Sequence, residues 1–309
     1  MRVSHIFKAL LAVCITTCSG CSNWSDTSSK KKPIYSTPKA FLASRIKDLD
    51  EFQETVQINY GLKDKIPFVE LIYNSNHGTV KSYLQSGISE QDILNIRKDS
   101  ITQQALFVLD NPDVIRDRDY LSEIYFFARK SDYILGEGDV AFYYIAEETV
   151  NKISTPELAY IVRKDSSEKG FINTINHITA QSFITSIYSE QIADRIADMH
   201  ELKHMPALCT GDFSEAQLAD TLNYPLDNYI DMINNEIGQE LGARINVKLG
   251  IDVNTKWTPK LLANYLTELI KYYSWSFGIG MNPFSEEDEI VIRFADKINK
   301  IKNGGYEHL

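Results

Sequence analysis

The chain has 309 residues, 43% of them hydrophobic, enough to bury one large core or two smaller ones. Its formal charge of −10 argues against nucleic acid as a partner and against broad electrostatic adhesion to anionic lipid. Of the four cysteines, Cys14, Cys18 and Cys21 lie at the extreme N-terminus, which leaves Cys209 alone in the body with no internal disulfide to form. Cys209, between Leu208 and Thr210, reads either as a small buried hydrophobe or as a nucleophile.

The first 21 residues, MRVSHIFKALLAVCITTCSGC, place Arg2 and Lys8 around a short apolar run. The small pair Ser19-Gly20 stands before Cys21. This is the pattern of a secretory signal, too short to span a membrane. Cys18-Ser19-Gly20-Cys21 resembles the lipobox of bacterial lipoproteins, with Cys18 where that family usually has Leu. The resemblance implies removal of residues 1–20 and lipidation of Cys21, which anchors the chain stably through several acyl chains. Ser22, in place of an Asp that retains such proteins at the inner membrane, implies the outer membrane. An ordinary secretory signal without lipid is the competing reading. Residues 21–37, rich in Ser, Lys and Pro, read as the lipidated Cys and a flexible tether.

Beyond the tether the pattern is mainly α, a multi-helix globular domain. Thr37-Pro38 predicts a helix towards Phe52. Ser89-Glu90-Gln91-Asp92, Thr155-Pro156, Ser214-Glu215, Thr258-Pro259 and Ser285-Glu286-Glu287-Asp288 predict further starts. In each, a capping side chain or a proline meets the unsatisfied first turn, and acids suit the positive end of the helix dipole. Only Pro67–Tyr73 and Ala141–Ile145 look strand-like, and the second suits a helix equally well. A polar break at Lys164–Gly170 divides a helical N-terminal region, 38–168, from a helical C-terminal region, 169–309. His77 sits in a Ser-Asn-His-Gly turn, and the first region offers no chemistry, only a scaffold or a partner contact.

Polar residues of catalytic type gather between 171 and 242. Phe171–Tyr188 keeps helical apolar spacing with His177 beside the stripe. In Ser189–Met205, His200 continues the stripe of Ala193 and Ile196, and Glu201 flanks it. In Asp227–Gly242, Ile230, Ile233, Ile237 and Leu241 form an apolar stripe. Asp227, Asp231, Asn234, Asn235 and Gly238 form a polar stripe about a quarter turn away. Two Asn and a Gly in mid-helix cost of order 1–2 kcal/mol in propensity, which predicts close backbone approach at Gly238 and hydrogen bonds from both Asn to a neighbouring helix. The set His177, Asp198-x-His200-Glu201 and Asp231-x-x-Asn234-Asn235-x-x-Gly238 resembles a small domain at the ends of bacterial polymorphic (Rhs-type) toxins, a family without a settled activity. Asn176 and Met199 depart from its pattern. The resemblance implies that His177, His200, Glu201, Asp231 and Asn235 converge.

His200-Glu201-Leu202-Lys203-His204 also matches the His-Glu-x-x-His signature of zinc hydrolases, with Glu236 as a possible third ligand beside His200 and His204. Against it, Lys203 places an ammonium inside the motif, and Pro206 ends the helix almost at the second His. No other cofactor is implied. Three readings follow. The body is a binding or interaction domain, contacting an envelope protein or the cell wall, in which the polar cluster fixes helix register. Alternatively it is a cell-envelope hydrolase using His177, His200, Glu201, Asp231, Asn234 and Asn235. The third is a zinc peptidase. Tyr272–Phe284, rich in aromatics, reads as core packing or as a groove, and Gly278-x-Gly280 lacks the strand–loop–helix context of a phosphate loop.

Overall fold

The computed structural model describes residues 37–304, apart from 97, 113–117 and 221–222. The expected signal, the lipidation at Cys21 and all but the last residue of the tether lie outside the described residues. Among the described residues, no helix is long and apolar enough to cross a membrane.

Helices dominate in chain order: α1 Leu49–Gln53, α2 Glu90–Ile96, α3 Ile101–Asp110, α4 Arg118–Ala128, α5 Asp132–Leu135, α6 Phe142–Asn151, α7 Pro156–Ala159, α8 Asn173–Ile187, α9 Glu190–His204, α10 Glu215–Ala219, α11 Leu226–Leu249, α12 Pro259–Phe277 and α13 Glu289–Lys302. Between α1 and α2 lies an antiparallel meander of β1 Val56–Lys63, β2 Ile66–Ser75 and β3 Gly78–Gln85. Of the caps expected from sequence, Ser89, Ser214 and Thr258 hold α2, α10 and α12, whereas Thr155 Oγ1 accepts Gly280 N instead and α13 starts behind Asp288 and not at Ser285; α9 gains a cap at Ser189. Ser189 Oγ, Ser214 Oγ and Thr258 Oγ1 each accept a first-turn backbone N–H.

Two expectations need correction. The N-terminal region is not all helical, because the meander occupies its first third. Pairing runs from Val56↔Tyr73 to Lys63↔Ile66, closed by Asp64 and Lys65, both at positive φ, the conformation a two-residue hairpin demands. Its inner face buries Val56, Val69, Leu71, Val80 and Leu84 against α11. Thr37-Pro38 does not open a helix either. That segment runs past a 3-10 turn at Ala43–Arg45 before α1 begins behind Asp48. Tyr272 donates its hydroxyl to Pro38 O, Ala40 N donates to Ser276 Oγ, and Asn234 holds both polar backbone atoms of Phe41. These tertiary bonds take the backbone groups that a helix would have paired internally.

The polar stretch Lys164–Gly170 is tied to this same segment. Asp165, buried, accepts hydrogen bonds from Ser44 Oγ, the Arg45 guanidinium and the backbone N–H of Ile161 and Val162. The core is continuous from Leu42 to Ile301. At its centre Phe183 stacks on Tyr265 at 4.6 Å and on Phe142 at 6.2 Å. Tyr272 and Tyr273 are fully buried, so the aromatic run is packing. Gly278 is the left-handed residue that ends α12.

α8 and α11 position the site. α8 is buried on nearly every side, which favours internal partners for its Ser and Thr hydroxyls, although Thr185 Oγ1 has none among the described residues. Ser182 donates to Gly238 O and Ser186 pairs with the Tyr265 hydroxyl. A Cβ at Gly238 would stand 2.7 Å from Ile178 O, and one at Gly242 2.5 Å from Ser182 O. These two glycines, one turn apart, let the helix backbones touch. Gly238 plays the part its sequence position predicted.

Candidate functional site

The α8–α11 contact carries a ladder of polar pairs with one constant offset. Lys169 donates to Asp227, Asn173 to Asp231, His177 Nδ1 meets Asn235 Oδ1, and Gln239 donates to Gln181, each pair separated by 58 residues. Members of successive rungs stand four residues apart, one helical turn. Equal steps in the same direction mean that the two segments run parallel in fixed register. The polar stripe read from Asp227, Asp231 and Asn235 is one side of this ladder. Lys169, Asn173 and Gln181 complete the other, and the sequence reading missed them. Asn173 was the findable one, a polar residue one turn before His177 on the same face.

α9 adds Glu201 from a third direction. Its carboxylate is 2% exposed and accepts Asn228 Nδ2 at 2.8 Å through Oε2. The other oxygen, Oε1, receives no hydrogen bond from the described residues, and neither do the buried Asp227 Oδ1 and Asn228 Oδ1. His177, with a side chain 14% exposed, sets Nε2 3.3 Å from Asp231 Oδ2. His177, Glu201 and Asp231 thus form a cluster whose potential ligand atoms all lie within 4.8 Å of one another. The His177 and His200 rings stand 6.1 Å apart at 62°, and His200 is the exposed member.

Burial makes the carboxylates reluctant to ionise. Desolvation and the neighbouring Asp231 push Glu201 up to about 7, opposed by His177, His200 and the bond from Asn228. Desolvation, then Asp227, holds Asp231 well above the usual carboxylate range, against the pull of Lys169 and Asn173. A second acidic group, Asp194, Asp198 and Glu236, lies within the preceding two turns of α9 and on another face of α11. Desolvation and Asp194 hold Asp198 up to about 9 and Glu236 up to about 8. Strongly displaced carboxylates gathered in one place are a physical mark of a functional site.

The expected residues therefore divide. His177, Glu201, Asp231 and Asn235 converge, with His200 beside them. Asn234 does not join them: it is fully buried and spent on the Phe41 backbone. Among the described residues the group that could hold a metal is His177, Glu201 and Asp231, which includes neither His200 nor Glu236 of the set expected from His-Glu-x-x-His. Glu236 faces Asp194 and Ser82, and the His204 side chain lies outside the described residues. Cys209 is buried with its thiol 3.6 Å from Leu84 O, and burial raises its proton affinity, the behaviour of a packed thiol. Protein-family models, curated proteins and solved structures all fail to match this chain.

Proposed function

We propose that the chain is a lipid-anchored envelope protein whose helical body carries a hydrolytic site at His177, Glu201 and Asp231. One observation supports the hydrolytic part above all. Glu201 is buried, lies beside an imidazole and a second carboxylate, and keeps one oxygen that no donor among the described residues engages. A network serving helix register alone gains by satisfying its acceptors, because a buried unpaired acceptor costs about 1–3 kcal/mol. In this reading His177, Glu201 and Asp231 together hold and activate water, Asn228 and Asn235 orient them, and exposed His200 stands where substrate arrives. The anchor rests on the leader: the small pair before Cys21, and Ser22 after it, favour lipidation and the outer membrane.

A second reading, an interaction domain, draws on the ladder. Its Lys169–Asp227 and Gln181–Gln239 rungs flank the cluster and fix register, as a purely structural network does. Wild type and Glu201→Gln, assayed side by side on envelope lipids, peptidoglycan and a generic peptide library, separate the two. Turnover lost at least about 100-fold in the variant supports the site. No turnover by wild type on any of them leaves the interaction domain. Labelling with radioactive palmitate, lost in Cys21→Ser, tests the anchor independently.

A further inference from the structure

We infer that the cluster is a divalent metal site of the zinc type, with His177 Nε2, an Asp231 oxygen and Glu201 Oε1 as its three protein ligands. The inference rests on reading this cluster as a site and names what that site holds.

The argument begins with a tautomer. Asn235 Oδ1 lies 2.9 Å from His177 Nδ1, and an amide oxygen only accepts, so Nδ1 carries the hydrogen. In the neutral ring the Nε2 lone pair then faces Asp231 Oδ2 at 3.3 Å. Two lone pairs at that separation repel unless an electrophile, a proton or a metal ion, lies between them. A metal about 2.1 Å from each atom subtends an angle of about 100°, close to tetrahedral.

A second, independent observation is the Glu201 oxygen. One Glu201 carboxylate oxygen lies within 4.8 Å of a ligand atom on His177 and of one on Asp231, and Oε1 is the buried oxygen without a hydrogen-bond partner among the described residues. That spread exceeds the roughly 3.5 Å between ligands of a tetrahedral ion, so closing the site asks Glu201 for a swing of about 1 Å. Outer contacts are already in place. Each ligand holds one asparagine: His177 holds Asn235, Asp231 holds Asn173, and Glu201 holds Asn228. Metal ligands are ordinarily oriented by hydrogen bonds of this kind. An imidazole among the three ligands favours zinc over magnesium or calcium, which take oxygen. Three protein ligands leave a fourth position for water, on which hydrolysis depends.

Isothermal titration of the full chain, stripped of metal, with zinc chloride tests this. The expected result is one equivalent bound, with affinity falling at least tenfold in His177→Gln and in Asp231→Asn and unchanged in His204→Ala. If either of those two variants fails to fold, the imidazole 15N spectrum of the wild type decides instead: zinc must move His177 Nε2 while Nδ1 stays protonated. Absence of stoichiometric binding overturns the inference. So does binding that survives His177→Gln and is lost in His204→Ala, which assigns the ion to the His-Glu-x-x-His pair. Because the readout is binding, failure of the hydrolytic reading appears separately, as a zinc-loaded protein without turnover.

Discussion

Glu201→Gln should make the metal-free protein more stable at neutral and alkaline pH, and the gain should vanish in acid. Burial raises this carboxyl from its ordinary 4.5 to about 7. Each pH unit of such a rise is worth about 1.4 kcal/mol. The folded state keeps its proton where the unfolded chain has released it, so stability from this group is intact below about 4.5. It drains away as pH rises to about 7, then stays flat. Holding the carboxylate ionised costs about 3 kcal/mol at pH 8 and under about 1 kcal/mol at pH 5. Glutamine keeps the bond from Asn228 and turns its amide NH₂ toward the His177–Asp231 side, where acceptors stand. Urea denaturation of both proteins at pH 5 and 8, with chelator present, measures the difference. Asp231, His177 and His200 also face this carboxyl, and Asp198 lies one turn before it on α9. The pairwise difference removes most of their shared background. Equal offsets at the two pH values, or a less stable variant at pH 8, refute the claim that Glu201 is held against its preference.

The α8–α11 contact and the N-terminal clamp give two more expectations. Gly242→Ala places a methyl 2.5 Å from Ser182 O. The overpacking cost exceeds the roughly 1 kcal/mol of helix propensity gained. A net loss of about 2 kcal/mol should appear as a lower urea midpoint with unchanged slope. Asn234→Ala strips Phe41 of two side-chain hydrogen bonds in the interior, a loss of about 2–4 kcal/mol. Limited proteolysis should then cut near Phe41 sooner, while zinc titration stays as in wild type, because this side chain faces away from His177.

Most helices were legible because their amphipathic period and caps are local facts. Ser89, Ser214 and Thr258 each show their cap in three or four letters. Of the meander, the middle strand was legible as the strand-like run Pro67–Tyr73, which lies inside β2, whereas β1 and β3 beside it were not. In β2, Phe68 and Ile72 occupy the outer face while Val69 and Leu71 fill the inner one, so Ile66–Tyr73 reads as one apolar run. The site was half legible. The costly polar stripe on α11 announced that partners must exist, and a hydrophilic residue beside a buried stripe did the same for His177 and Glu201. Most of the residues that answer were invisible, since Lys169 and Asn228 carry no pattern of their own. Asn234 shows the same limit from the other side. It sits next to Asn235 in the sequence, but 100° of helical rotation sends it to the Phe41 backbone and not to the imidazole.

The ladder bears on whether register and chemistry are separate demands. Its rungs are chemically unequal: His177–Asn235 and Asn173–Asp231 reach the Glu201 cluster, whereas Gln181–Gln239 lies one turn beyond it. If the outer rung serves register only, the packed glycines Gly238 and Gly242 can hold register without it, since their backbone contacts allow no sliding. Replacing both glutamines by leucine removes the donor and the acceptor together, which avoids an orphaned buried group and is close to neutral or stabilising. The double variant should therefore match or exceed wild type in urea and keep its zinc affinity within about threefold. The single variant Gln239→Leu should lose about 1–2 kcal/mol, because Gln181 is left buried without its donor. A tenfold fall in zinc affinity in the double variant, with stability retained, would show that the outer rung shapes the cluster itself. The separation argued here between a scaffold of paired amides and a set of three ligands would then fail.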